Sequence, residues 1–184
     1  MTIQQAARRP SLKSVRLSQG QLRRILDLST ADPILRDLHD VVVIISNTGI
    51  RAGELRELRW CDVDLQARKL AFTVPMNPRM RSVHLDPETL QVLESRCERQ
   101  SDAEYVLGES RRALLHRVSR QLRSVCDGIG VHGVTLHVLR HTFATLLEDA
   151  GINCVVLKDL MGHHSFKTTL RYFKLRAPRK RAVR

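Results

Sequence analysis

The sequence predicts one mainly helical α+β domain with a small antiparallel β-sheet at one edge. Apolar residues recur at helical spacing over most of the chain, and the stretch 68–85 changes to strand character. The chain has 184 residues, of which 42% are hydrophobic, so it can bury one well-packed core. The absence of an internal repeat favours a single domain over a repeat array.

N-terminal signals predict the first two helices. Ser18 and Gln21 have the spacing of a capping box, and Asp32 with Pro33 supplies a cap and a first-turn residue for the second helix. The second helix is expected to stop at Gly49. Its apolar positions follow the helical period, which predicts a central place in the fold; they are Leu35, Leu38, Val41, Val42 and Ile45.

A small sheet is predicted after a short helix near residues 51–58. Residues 69–74 and 81–85 have strand character and are expected to form a hairpin, joined by the proline-containing stretch 75–80. Residues 62–65 are expected to add a third strand.

The remainder of the chain is predicted to be helical. Asp86 and Pro87 begin one helix, and Ser110 caps the next, which is expected to end at the glycine-rich stretch 127–133. The last three helices are predicted at 136–149, 153–161 and 166–175.

Charge is the strongest compositional signal. Lys and Arg number 31 against 19 Asp and Glu, a formal net charge of +12. This excess favours a polyanionic partner, with double-stranded DNA first, although a solubilising charge is the simpler alternative. The basic residues concentrate in a flexible arm predicted at 1–17 and a tail at 176–184, which flank a domain at 18–175.

Other features indicate the compartment. No apolar run approaches the roughly 20 residues that span a bilayer, and the basic tail lacks a continuous apolar face, so no membrane partner is expected. The four cysteines are scattered without a CxxC pair, which indicates a reducing compartment. A cytoplasmic, nucleoid-associated protein is therefore expected.

Two stretches in the middle of the chain carry candidate functional residues. Arg51 follows the glycine stop and can pair with Glu54 at i,i+3, which alone is more typical of a surface ion pair. His137, Arg140 and His141 share one helix face, typical either of a site on a rigid element or of a solvated face. The two histidines have i,i+4 spacing, but the residue after His137 is Val, not the Glu of HExxH. We predict no metal and no other cofactor.

Two further stretches lie near the C-terminal end. Gly162 presents His163 at a helix boundary, where a histidine can also simply stabilise the helix dipole. Tyr172 lies in a basic amphipathic helix, where a core aromatic is the ordinary interpretation. Taken together, two arginines can bind the oxygens of one phosphate, histidines can move protons, and a tyrosine hydroxyl can attack phosphorus. Such a set needs neither a metal nor ATP.

These stretches resemble the tyrosine recombinase (phage integrase) family over about residues 18–175. The family signature is an Arg in a TGxR-type turn, then HxxR, then GH, then a Tyr nine residues after that His. The matching residues here are Thr48-Gly49-Ile50-Arg51, His137 to Arg140, Gly162-His163 and Tyr172.

The resemblance implies a site-specific recombinase or integrase catalytic domain. It would act with other recombinase subunits on DNA and cut and rejoin strands through a 3′-phosphotyrosine. The implied catalytic residues are the phosphate-clamping Arg51 and Arg140, the proton-transfer residue His137, the phosphate hydrogen-bond donor His163 and the nucleophile Tyr172. Supporting roles fall to Glu54 and His141. The residues expected to contact DNA are Arg79, Arg81, Arg171 and Lys174.

The sequence departs from the family in the hairpin. Family members carry a Lys there that is thought to protonate the leaving 5′-oxygen. Aligning the stretch 81–85 with the second hairpin strand places Met76 at that position, and a thioether cannot donate the proton. Lys69 lies seven residues earlier, and arginines such as Arg79 and Arg81 ordinarily have a pKa too high for a general acid.

Two alternatives therefore stand beside the recombinase. One is a recombinase-like module that binds DNA or regulates a partner with weak or no cleavage, and the other is a type IB topoisomerase-like activity. Family members also usually carry a DNA-clamping domain before the catalytic one, whereas about 17 residues precede the first predicted helix here. Either a minimal enzyme or a domain of a longer chain is expected.

Overall fold

The computed structural model describes residues 16–74, 77–100, 102–162 and 169. Seven α-helices lie within these residues: α1 (Gln19–Ala31), α2 (Arg36–Thr48), α3 (Ala52–Glu57), α4 (Pro87–Arg99), α5 (Arg111–Gly128), α6 (Leu136–Asp149) and α7 (Cys154–Met161). Three strands accompany them: β1 (Val63–Asp64), β2 (Lys69–Val74) and β3 (Asn77–His84). The predicted fold class is confirmed.

The core is built around α2. Every side chain from Val41 to Ile45 is fully buried, and the helix contacts α1, α4, α5 and α6. A helix that is apolar on nearly all sides belongs in the centre of a domain, since it has no face to offer to water. The predicted stop is confirmed, because Gly49 caps α2 with a left-handed φ of 64°.

The sheet is antiparallel in the order β1-β2-β3. Leu70 pairs with Val63 on one side and with Val83 on the other. Side chains alternate along the end of β3: Arg81 and Val83 face inward, whereas Ser82 and His84 face solvent. The third strand predicted at 62–65 is present as β1, which pairs with β2.

The hairpin connection is shorter than predicted. β3 begins at Asn77, so residues 77–80, assigned above to the connection, belong to the strand. Pro78 favoured a loop because proline cannot donate a ladder hydrogen bond. Since β3 is an edge strand in this sheet, the missing N–H can point away from its neighbour, and the strand tolerates the proline.

The helix signals have mixed outcomes. Ser18 and Gln21 form the predicted reciprocal capping box at the start of α1. Ser110 occupies the N-cap position of α5, but its side chain makes no capping hydrogen bond. That helix also continues to Gly128, into the stretch predicted as a break, because Cys126 is buried in the core and keeps the last turn in place. The helix predicted at 166–175 lies outside the described residues, apart from Thr169.

A buried arginine joins the first half of the domain to the second. Arg96 on α4 is 1% exposed, and its Nη1 lies 2.7 Å from Asp40 and 3.0 Å from Asp37, both on α2. Its Nε donates to the carbonyl oxygen of Val106 at 3.0 Å. Burial alone would raise the pKa of Asp40, but hydrogen bonds from His39 and Arg96, together with nearby arginine charges, hold that pKa below 3.8.

The described ranges contain neither a candidate membrane-spanning helix nor a candidate metal-binding cluster. None of their helices combines the length and apolar character that a bilayer span requires. The same ranges hold no group of three or more His, Cys, Asp or Glu side chains placed to bind a metal ion.

Candidate active site

Arg51 is held at the start of α3 by Glu54. The backbone N–H of Arg51 donates to Glu54 Oε2 at 2.8 Å, and its Nη1 donates to Oε1 at 2.5 Å. The predicted i,i+3 ion pair is thus present. The left-handed Gly49 ends α2 and reverses the chain direction, which brings Arg51 close to the core while leaving its side chain 41% exposed. The arginine is both fixed and accessible.

Arg140 lies beneath Arg51, on α6. It is 3% exposed, so it belongs to the buried interior and not to the polar helix face that the sequence suggested. Its Nη1 donates to the carbonyl oxygen of Gly49, and its Nη2 donates to the carbonyl oxygen of Met161. Glu54 Oε2 lies 3.8 Å from Nη1. One guanidinium therefore connects the ends of α2 and α7 with the carboxylate of α3.

The end of α7 completes this arrangement. Gly162 caps the helix with a left-handed φ of 58°, and its carbonyl oxygen accepts a hydrogen bond from Arg51 Nη2 at 3.0 Å. The next residue in the chain is His163. The first residue of the GH motif therefore contacts Arg51, as expected if the two motifs belong to one site.

Arg81 is a further member of the cluster. Its side chain comes from β3 and is buried, with Nη2 donating to the carbonyl oxygen of Thr48 at 3.2 Å and Nη1 lying 3.7 Å from Glu54 Oε2. Burial is the main cause that lowers the pKa of Arg81 to about 10; the carboxylate of Glu54 opposes this shift and the positive charge of Arg51 adds to it. Its predicted contact with DNA stays a prediction.

His137 and His141 lie one turn apart on α6, with their ring centroids 4.8 Å apart and the rings perpendicular. Burial and the charges of Arg140 and Arg51 lower the pKa of His137 below its ordinary value. Burial and the charges of His137 and Arg140 do the same for His141. Both shifts favour the neutral form of the imidazole, which can accept a proton.

The electrostatic balance of the cluster favours an anionic ligand. In the part of the chain that the structure describes, three guanidinium groups gather around the single carboxylate of Glu54; they belong to Arg51, Arg81 and Arg140. Arginines arranged in this way match the non-bridging oxygens of a phosphate. The arrangement can bind such a group and stabilise negative charge that develops on it.

Several predicted residues lie outside the described part of the chain. They are Met76, His163, Arg171, Tyr172 and Lys174, and the side chain of Arg79 on β3. Lys69 is described: it pairs with His84 at the end of the hairpin farthest from residues 75 and 76. At ~3.3 Å per residue, Lys69 stands roughly 20 Å from the turn, so it does not take the place of a lysine at position 76.

The backbone provides a part of the site that the sequence does not predict. The carbonyl oxygens of Thr48, Gly49, Met161 and Gly162 accept hydrogen bonds from the three arginines, and no side-chain pattern indicates them. The burial of Arg81 had a signal, because its position has the same parity along the strand as the inward-facing Val83 and Leu85.

Comparison with known proteins identifies the family. The model of the phage integrase family matches residues 15–179. The chain belongs to this family. The resemblance found in the sequence is thereby confirmed.

Two other matches agree with the family. Tyrosine recombinase XerA of Thermococcus kodakarensis is 30% identical over 168 residues, which cover 86% of this chain and 57% of the relative. A crystal structure of XerA recombinase superposes with a TM-score of 0.74 at 28% identity, over 91% of this chain and 61% of that chain. The chain spans a little over half the length of the curated relatives it matches.

A third match shows the fold. The Tn1549 transposon integrase, solved in complex with transposon right end DNA, gives a TM-score of 0.76 at 20% identity. That match covers 91% of this chain and 63% of the integrase chain. The overall fold is thus common to this chain and to a protein of much lower sequence identity.

Proposed function

We propose that the chain contains the catalytic domain of a site-specific DNA recombinase or integrase, which cleaves and rejoins DNA through a 3′-phosphotyrosyl intermediate. The observation that carries this proposal is the cluster of Arg51 and Arg140 around Glu54, closed by the Gly162 turn. Three segments far apart in sequence meet there, and they carry the TGxR-type turn, the HxxR motif and the glycine of the GH motif.

In the proposed reaction the Tyr172 hydroxyl attacks the scissile phosphorus. The new P–O(Tyr) bond replaces the P–O5′ bond, the tyrosine loses its proton, and the leaving 5′-oxygen takes one up. Arg51 and Arg140 bind the non-bridging oxygens, His163 adds a hydrogen bond, and the neutral His137 accepts the proton from the tyrosine. Attack by a free 5′-hydroxyl reverses the step, so no ATP is needed.

The partners follow from this reaction. We propose double-stranded DNA as the substrate and other recombinase subunits as neighbours on it, since exchange of two duplexes needs more than one nucleophile. The relative solved with transposon right end DNA supports the DNA partner. We also propose domain limits of 18–175 between basic ends, and a cytoplasmic, nucleoid-associated location for a protein with this substrate.

Covalent trapping tests the proposal. A pool of nicked suicide duplexes with randomised sequence around the nick is incubated with the 184-residue chain, and DNA that resists SDS extraction is sequenced. We expect an adduct with the wild type and none with Tyr172→Phe, with the recovered sequences sharing a site. Adduct in neither protein, despite DNA binding, would support the DNA-binding or regulatory module instead.

Two additional outcomes separate the remaining alternatives. Relaxation of supercoiled plasmid without site preference would support a type IB topoisomerase-like activity. At position 76, a lysine is expected to protonate the leaving oxygen, so Met76→Lys should speed cleavage of the nicked substrate. An unchanged or lower rate would contradict the assignment of that position.

A further inference from the structure

We propose that Arg81 is a positioning residue of this site: its guanidinium packs between Glu54 and the Gly162 turn, holds Arg51 in place and joins the β-hairpin to the site. The inference rests on the proposed function, because the site it supports is the proposed phosphate site. It changes the role of Arg81 from a surface contact with DNA to a buried support.

The strand pattern places this cation inside the protein. Arg81 shares the inward face of β3 with Val83, and it is 7% exposed. A charged side chain on the inward face of a strand is costly unless its surroundings compensate the charge. The compensation here comes from Glu54 and from the carbonyl oxygen of Thr48, the last residue of α2.

Contact with the Gly162 turn is equally close. A Cβ added to Gly162 would lie 3.1 Å from Arg81 Nη1 and 3.2 Å from its Cδ. The same atom would lie 3.8 Å from Arg51 Nη1, so both guanidinium groups pass along the bare face of this glycine. Arg51 also donates to the Gly162 carbonyl at 3.0 Å. Arg81 therefore packs against the same turn whose carbonyl oxygen Arg51 binds.

Arg81 and Arg51 share the carboxylate of Glu54. Arg51 uses both carboxylate oxygens of Glu54, and Arg81 approaches Oε2, the oxygen that accepts the Arg51 backbone N–H. A carboxylate bound from two sides has fewer orientations available than one bound from one side. Fixing Glu54 fixes the Arg51 side chain, which is the most exposed of the three arginines.

Arg81 carries its positive charge at a buried position, where burial disfavours the charged form. Burial, assisted by the neighbouring charge of Arg51, lowers its pKa to about 10. An apolar side chain would suit an inward strand position between α2 and α7 without that penalty. A cation kept at such a position is more consistent with a role in the site than with stabilisation of the fold.

The test compares Arg81→Met, which keeps an unbranched stem and loses the guanidinium, with Arg81→Lys, which keeps the charge and loses the fork. Single-turnover adduct formation on a nicked suicide duplex gives the maximal rate and the half-saturating protein concentration. We expect Arg81→Met to lower the maximal rate roughly 100-fold, the scale reported for small misplacements of catalytic groups. The half-saturating concentration should change less than about 3-fold, and Arg81→Lys should recover part of the rate.

Two control variants isolate the role of Arg81. Ser82→Ala changes the exposed face of the same strand and should alter neither rate nor Tm. Arg96→Met removes another buried arginine, far from the cluster, and should lower Tm while the folded protein cleaves at the wild-type rate. Arg81→Met should show the opposite pattern, with the rate lowered and Tm maintained. A wild-type rate in Arg81→Met, or a lost rate that returns on cooling below its Tm, would overturn the inference.

A second readout does not depend on cleavage. In wild-type protein the Nη1 and Nη2 groups of Arg51 are held by Glu54 and Gly162, so their NMR signals should be separate and exchange slowly. In Arg81→Met these signals should merge, whereas those of Arg99, held by Asp40, should not change. If wild type forms no adduct but the Arg51 signals merge, the proposed function fails and the positioning role stands. Unchanged Arg51 signals overturn the positioning role in either case.

Discussion

Replacing Gly49 with alanine perturbs the turn on which the candidate site is built. Gly49 has a φ of 64°, and an added Cβ would lie 2.4 Å from Phe143 Cδ1, 2.5 Å from its Cε1 and 3.2 Å from Met161 Sδ. The left-handed conformation costs an alanine about 1–2 kcal/mol. Displacing the ring of Phe143 adds roughly 1–3 kcal/mol of overpacking. The free energy of unfolding should therefore fall by roughly 2–5 kcal/mol.

Two other glycines separate these contributions. Gly130 has a φ of 75° but nothing within 4 Å of an added Cβ, so Gly130→Ala should cost only the conformational part, about 1–2 kcal/mol. Gly53 has neither constraint and lies within α3, so Gly53→Ala should stabilise the domain by about 0.5–1 kcal/mol. The three variants form a series of increasing cost, from Gly53 to Gly130 to Gly49.

Thermal unfolding and urea titration measure the series. At ~2–4 °C per kcal/mol for a domain of this size, Gly49→Ala should lower Tm by roughly 5–15 °C. Its adduct yield should fall even below Tm, since Phe143 lies one turn from Arg140 on α6 and the Gly49 carbonyl is an acceptor for that arginine. A loss no greater than that of Gly130→Ala would refute the claim that Phe143 closes the space above Gly49.

Further predictions concern charge. Glu54→Gln removes the carboxylate that the clustered arginines share, so unfolding free energy in urea should fall by ~3 kcal/mol, whereas the exposed control Glu57→Gln should leave it nearly unchanged. Asp40→Asn leaves the buried Arg96 poorly compensated and should lower unfolding free energy by ~3 kcal/mol; a change under ~1 kcal/mol would show that Asp37 suffices. The native pKa of His137 is held below 6.5 by burial and neighbouring arginines. Below about pH 6.5 the unfolded state therefore binds more protons than the native state, and stability decreases as the pH is lowered. Between pH 7.5 and 5.5 His137→Gln should lose less stability than wild type, and equal losses would contradict this assignment.

The sequence predicts the fold well where periodicity and capping agree. The central helix is predicted correctly in its apolar positions and in its end at Gly49. Its start is not, because Asp32 and Pro33 begin a separate 3-10 helix (Pro33–Leu35), and α2 starts at Arg36. The predicted hairpin connection is too long, because the local rule that places proline in loops does not consider whether the strand lies at the edge of a sheet. That position depends on pairing between segments, which a local pattern does not contain.

The site also divides into local contacts, which the sequence predicts, and contacts between distant segments, which it does not. The Arg51–Glu54 pair is local, and its i,i+3 spacing is sufficient to predict it. The contacts of Glu54 with Arg81 and Arg140 join segments that are distant in sequence, so only the folded structure reveals them. The burial of Arg140 was also missed, because the helical pattern places it among histidines and the atoms that receive it are backbone carbonyls.

The hydrogen bonds from Arg140 to the Gly49 and Met161 carbonyls have a consequence for synthesis of the protein. These acceptors are far apart in sequence, so the arrangement of arginines is absent from a nascent chain until residue 161 has left the ribosome. Its contacts are of high sequence separation and form together with the global fold. A partly made or partly unfolded chain consequently lacks the assembled arginines. Under the proposed function, the chromosome meets cutting activity only from molecules whose folding is complete.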